Sequence, residues 1–124
     1  MDPLQRVASM YLIRYNLLNG AVAISAKDGA EPFTQWLVGL RDQTAEARIR
    51  VRLRRVEAGN FGDCEPVGDG VTELRVHVGA GYRVYFGRYG GALVILLCGG
   101  DKGSQAADIK RAKDFWAEWK RRQS

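Results

Sequence analysis

The chain has 124 residues, enough for one hydrophobic core and too few for a separate cofactor-binding domain beside it. Its 19 lysines and arginines exceed its 14 acids, for a formal charge of +5, a balance that favours RNA, DNA or an acidic protein as partner without choosing among them. The longest apolar run, Ala92 to Cys98, cannot cross a bilayer, and the N-terminus lacks the basic flank, apolar stretch and small-residue cleavage site of a leader, so a cytoplasmic protein with no membrane contact is expected.

Residues 1–19 are read as an N-terminal extension, with Leu4, Val7, Tyr11 and Leu18 near a helical spacing that Leu12, Ile13 and Leu17 blur. Met10 offers an alternative start. A domain follows over residues 20–124. Ala21 to Ala26 reads as a short strand, closed by the turn residues Lys27, Asp28 and Gly29. From Pro32, the residues Phe33, Trp36, Leu37 and Leu40 recur at i, i+3, i+4 and i+7, the stripe of a helix opened by proline.

Asp42 is expected to break into a loop before a second helix from about Thr44. There Ala45, Ile49, Leu53 and Val56 form the buried stripe, Arg48, Arg50, Arg52, Arg54 and Arg55 occupy the other faces, and Gly59 closes the end. So short a link predicts an antiparallel helical hairpin. Cys64 falls in a turn-like stretch and Cys98 in an apolar run. Neither has C-x-x-C or Cys/His ligand spacing, so no metal is expected.

The period then changes to two. Runs over Val71–Val78, Tyr82–Tyr89 and Ala92–Cys98, separated by Gly79-Ala80-Gly81 and Gly90-Gly91, predict two successive β-hairpins. In the first run Leu74, Val76 and Val78 alternate with Glu73, Arg75 and His77, so one face is apolar and the other ionisable. Leu93 to Leu97 has no polar partner and should be buried on both faces. A last helix is predicted from about Ser104, burying Ile109, Ala112, Trp116 and Trp119 and ending in Lys120, Arg121 and Arg122. The predicted fold is a small α+β sandwich of strand, helical hairpin, three-stranded antiparallel meander and terminal helix.

The order of these elements, together with "GNFGD", "ELRVHVGAGYRVYF", "LLCGGDKGSQ" and "DIKRAKDFW", resembles the RelE/ParE toxin superfamily, and within it the HigB-like "addiction module killer protein" branch. The likeness runs from about Ala21 to Trp119. It implies a RelE-like, microbial RNase-like fold, no metal or cofactor, and neutralisation by a cognate antitoxin, a small helix-turn-helix protein through which the complex reaches operator DNA. Several such toxins enter the ribosome and cut mRNA. ParE relatives instead inhibit DNA gyrase, and the shared fold does not separate the two activities.

Metal-free RNA cleavage requires a group to take the 2′-OH proton, cations for the charge that develops on phosphorus, and an acid for the departing 5′ oxygen. The nuclease pattern of the resembled toxins places its cations on Arg75, Arg83 and Lys102 of this chain. Arg83 either contacts the scissile phosphate or pairs with Glu73. Lys102, in a glycine-flanked loop, either shares the phosphate's charge or is an ordinary loop lysine.

His77 is the only histidine, the natural group to move a proton near neutral pH. Where the resembled nucleases carry a tyrosine after the final strand, this chain has Asp108, a carboxylate that could serve as base. Tyr82 and Tyr85 are candidates to stack a base or donate a proton, with a core role open for Tyr82. Glu73 shares the ionisable face of its run with Arg75 and His77. Arg48 and Arg52 on the second helix either grip rRNA phosphates or form a solvated face.

Overall fold

A computed structural model of the chain describes residues 22–23, 31–89 and 93–123. The helix expected within residues 1–19, the turn at residues 27–29 and the Gly90-Gly91 turn lie outside the described residues. The elements in chain order are β1 (Val22–Ala23), α1 (Pro32–Val38), α2 (Gln43–Glu57), β2 (Cys64–Gly68), β3 (Val71–Val76), β4 (Tyr82–Tyr89), β5 (Leu93–Asp101), a 3-10 turn (Lys102–Ser104) and α3 (Gln105–Gln123). The architecture is α+β. The sheet runs β1-β5-β4-β3-β2, antiparallel throughout except for β1, which pairs parallel with β5.

Strand alternation gives the sheet two apolar faces, each covered by helices. On one face Leu74, Val76, Val84, Phe86, Val94 and Leu96 meet Phe33 and Leu37 of α1 and Ile49, Leu53 and Val56 of α2. On the other, Val71, Ile95, Leu97 and Cys98 meet Ala112, Trp116 and Trp119 of α3. Each fully buried Leu, Ile or Phe contributes about 1.5–3 kcal/mol relative to exposure. The expected double burial of the last strand is found: Val94 through Gly100 are all buried.

Four features differ from the sequence expectation. Asp42 is the N-cap of α2 rather than a loop breaker, its carboxylate accepting from the Ala45 N–H at 3.0 Å. The two helices, expected as an antiparallel hairpin, meet each other only sparsely and direct their apolar stripes to the sheet, α1 over β5 and α2 over β3.

A fourth antiparallel strand, β2, lies where a turn around Cys64 was expected, paired with β3 and irregular between Pro66 and Gly68. Pro66 and Gly68 erase its alternation, and an edge strand tolerates both. Finally, β3 ends at Val76, which leaves His77 in the turn, while β5 extends through Gly99 and Gly100. Those glycines read as a loop, but a Cβ on Gly99 would lie 2.3 Å from the Trp36 ring and one on Gly100 1.8 Å from the Asp108 carboxylate, so helices close over the strand from both sides.

Candidate functional site

The site forms where β3 turns into β4. The strands pair up to Val76 and Tyr82, and the five residues between them close a turn in which Gly79 and Gly81 have φ of +54° and +79°, a left-handed backbone that glycine adopts without strain. The Lys102 N–H donates to the Gly81 carbonyl at 2.9 Å, tying the exit of β5 to this turn. The Asp101 carboxylate caps the 3-10 turn by accepting from the Gly103 and Ser104 N–H groups at 2.9 and 3.2 Å.

The result is an open cleft of about 420 Å³ whose wall includes Arg75, His77, Tyr82, Arg83 and Lys102. Three cations from separate stretches of chain thus line one hollow. Tyr82 serves two purposes, lining this cleft and packing its ring 6.3 Å from that of Trp36 against the core. Lys102 is exposed, and its ammonium has no acid partner among the described residues.

Beneath the cleft lies Glu73, fully buried. Its Oε1 accepts from the Arg75 Nε at 3.0 Å and stands 3.5 Å from the Arg83 Nε. Its Oε2 accepts from the Tyr85 hydroxyl at 3.0 Å and the Gln105 amide at 2.9 Å. Burial, the largest influence, pushes the Glu73 carboxyl up, but hydrogen bonds from Gln105, Arg75 and Tyr85 and the charge of Arg83 together hold it below its ordinary value. Arg75 also pairs with Glu65 on β2. Burial and the bond to Glu73 drive the Tyr85 phenol well above its ordinary value.

Several sequence candidates therefore sit elsewhere than expected. Tyr85 and Glu73 are fully buried and reach no ligand. Asp108 is only 4% exposed, packed on Gly100 and held by the Ser104 hydroxyl and by Arg111 at 3.2 Å, so it does not face the cleft as a base. Arg52 is consumed internally: its guanidinium donates to the carbonyls of Arg75, Phe61 and Asp63 at 2.5, 3.0 and 3.5 Å, pinning the loop before β2 to β3.

Arg48 is exposed and lines a second cleft of about 560 Å³ along α2, which shares Val76 and His77 with the first. His77 does not join Arg75 on the strand face. It is 74% exposed and its Nε2 contacts the Asp63 carboxylate at 2.5 Å. That hydrogen bond is the leading cause that holds the Asp63 carboxyl below its ordinary value. Asp63 was missed as a site residue; its only sequence signal is its place in "GNFGD". Among the described residues no group of three or more His, Cys, Asp or Glu gathers as a metal site, and no helix is long and apolar enough to cross a membrane.

A small α+β protein with a cationic cleft at a hairpin end is the class that fold and site define. Residues 35–115 match the family described as "Phage derived protein Gp49-like (DUF891)", and the chain belongs to that family. The family is toxin-like, related to addiction module killer proteins and associated with the toxins of toxin–antitoxin pairs, which in general implies a cognate antitoxin. A protein of Haemophilus influenzae strain Rd, carrying only the description "Uncharacterized protein", is 53% identical over 81 residues, spanning 65% of this chain and 82% of the relative. No solved structure matches the chain.

Proposed function

We propose that this protein is the toxin of a type II toxin–antitoxin pair and a metal-independent endoribonuclease that cuts mRNA at the ribosome and so arrests translation. The observation that carries the reading is the convergence of Arg75, Arg83 and Lys102 with His77 and Tyr82 on one cleft. In this reading the sheet is a RelE-like, microbial RNase-like sheet, residues 20–124 form the toxin domain behind an extension over 1–19, and the protein works in the cytoplasm. A small helix-turn-helix antitoxin neutralises it and carries the complex to operator DNA.

The chemistry follows from the groups present. His77, with Nε2 engaged by Asp63, has its other ring nitrogen to take the 2′-OH proton, and the 2′ oxygen attacks the adjacent phosphorus. Charge gathers on the non-bridging oxygens, which Arg83 and Lys102 neutralise. The P–O5′ bond breaks, the 5′ oxygen takes a proton from the Tyr82 hydroxyl or from solvent, and a 2′,3′-cyclic phosphate remains. Arg48 grips rRNA backbone beside the cleft.

One observation favours a second reading, a ParE-like gyrase inhibitor that cuts no bond: Asp108 is withdrawn against Gly100, which leaves no carboxylate among the described residues of the cleft wall to act as base. Brief induction followed by mapping of mRNA 5′ ends separates the two. New 5′ ends within translated messages are expected; intact messages beside broken, supercoiling-dependent DNA reverse the assignment. Arg83→Ala is expected to slow cleavage by about 10²–10³-fold, in the range for losing one transition-state donor, and to relieve growth arrest while antitoxin binding persists.

A further inference from the structure

Arg75 and Arg83 stand directly opposite each other across the β3–β4 ladder. Like charges at opposed positions on one face repel, and two long flexible side chains so placed would splay apart. Here they converge on one atom. Glu73, one step along the same face, offers Oε1 to the Nε of both arginines, at 3.0 and 3.5 Å. The other oxygen is fixed from two directions, by Tyr85 of β4 and Gln105 of α3.

We infer that Glu73 is a positioning residue for the cleft: a buried carboxylate that gathers two opposed arginines by their inner nitrogens and turns the outer nitrogens of Arg83 toward the anion. Glu73 itself meets no ligand, because it is fully buried and spends its oxygens on these contacts. Arg83 depends on it most. Its side chain is only 14% exposed, and its Nε, buried without a hydrogen bond of good geometry, has the Glu73 charge as its nearest compensation. Arg75 has a second acid in Glu65. Gln105 extends the arrangement to α3, so the seating of that helix sets where the carboxylate stands.

The inference rests on the nuclease reading for its kinetic consequence but not for its structural one, and the test uses both. In ¹⁵N relaxation measurements on the whole protein, the Arg83 Nε–H is expected to be as rigid as the strand backbone, and to become mobile in Glu73→Gln while tryptophan fluorescence still reports a folded core. Arg83 remaining rigid in Glu73→Gln overturns the inference whatever the protein's activity.

With ribosomes programmed by a defined mRNA, Glu73→Gln is expected to lower kcat about 10–100-fold with KM for the ribosome little changed, as for a contact made chiefly in the transition state. Combined with Arg83→Ala it is expected to add nothing, since both changes remove the same interaction. If Arg83→Ala loses cleavage but Glu73→Gln does not, or if the losses multiply in the double variant, Glu73 does not act through Arg83 and the nuclease reading stands without it. If the wild-type protein cuts no mRNA, the nuclease reading falls and the relaxation result alone decides. Should Glu73→Gln fail to fold, Gln105→Ala keeps the charge and removes one anchor; there a partial gain in Arg83 motion and a few-fold loss in kcat are expected, and an unchanged Arg83 counts against the inference.

Discussion

One helix, α3, covers one face of the sheet, and its two ends meet that face through opposite chemistry. Toward its C-terminus, Trp116 and Trp119 stack at 5.5 Å with planes 6° apart, and Tyr89 meets Trp119 edge-on at 5.0 Å. Toward its N-terminus the contacts are Asp108 against Gly100 and Gln105 on buried Glu73. Both ends need a glycine beneath them: a Cβ on Gly87 would fall 2.7 Å from the Trp116 ring, as one on Gly100 would strike Asp108. The apolar half supplies non-directional docking energy, whereas the polar half supplies direction, which is what a cleft that must aim a guanidinium requires.

The apolar half should dominate stability. Trp119→Ala, at a site 1% exposed, is expected to cost about 3–5 kcal/mol in chemical denaturation; a loss under about 1 kcal/mol would place the docking energy elsewhere. Gly100→Ala is a sharper probe of the polar half, since the Asp108 carboxylate must move or the strand must bend, at about 1–3 kcal/mol. Its effect should shrink in an Asp108→Ala background, and full additivity would mean the two do not touch.

The pH dependence also divides the two halves. Glu73, held below the ordinary carboxyl value of 4.5, contributes stability that is fully present above that value and is lost as pH falls through its lowered one. The acid limb of the stability curve should therefore flatten in Glu73→Gln and remain as steep in Trp119→Ala.

The smallest effects concern reactivity and surface charge. Cys98 is 1% exposed and burial pushes its thiol up to about 12, so a thiol reagent at pH 8 should reach it only after unfolding, while half-buried Cys64 reacts in the native protein. Two rapid equivalents would show that the α3 layer opens readily. Asp114→Ala, which removes an exposed pair with Lys110 whose side chains are 68% and 80% exposed, should leave stability within about 0.5 kcal/mol of wild type.

The residues that were legible in the sequence are those whose periodicity reports burial. The stripes of α1 and α2, the alternation of β3 and β4 and the doubly buried β5 can all be read from spacing, because an apolar side chain has to face a core and the backbone period decides where. The cationic cleft was legible in part. Arg75, Arg83 and Lys102 could be named through the resemblance to RelE-like toxins, and alternation put Arg83 on the same face as Tyr85. Residues whose role depends on a partner distant in the chain were not legible. Arg52 looked like a phosphate ligand but holds three carbonyls across the fold. Asp108 looked like a base but fills the space over a glycine, and Asp63 became visible only through His77.

Alternation determined the faces within each strand, Glu73 with Arg75 on β3 and Arg83 with Tyr85 on β4, and the β3–β4 register then put the acid and both arginines on one side of the sheet. Only the tertiary structure decided that α3 closes over that acid, removing it from water and making it the fixed point from which the arginines are aimed. A charge in water is screened and its neighbours are interchangeable, whereas a buried one must be compensated by particular donors in particular places.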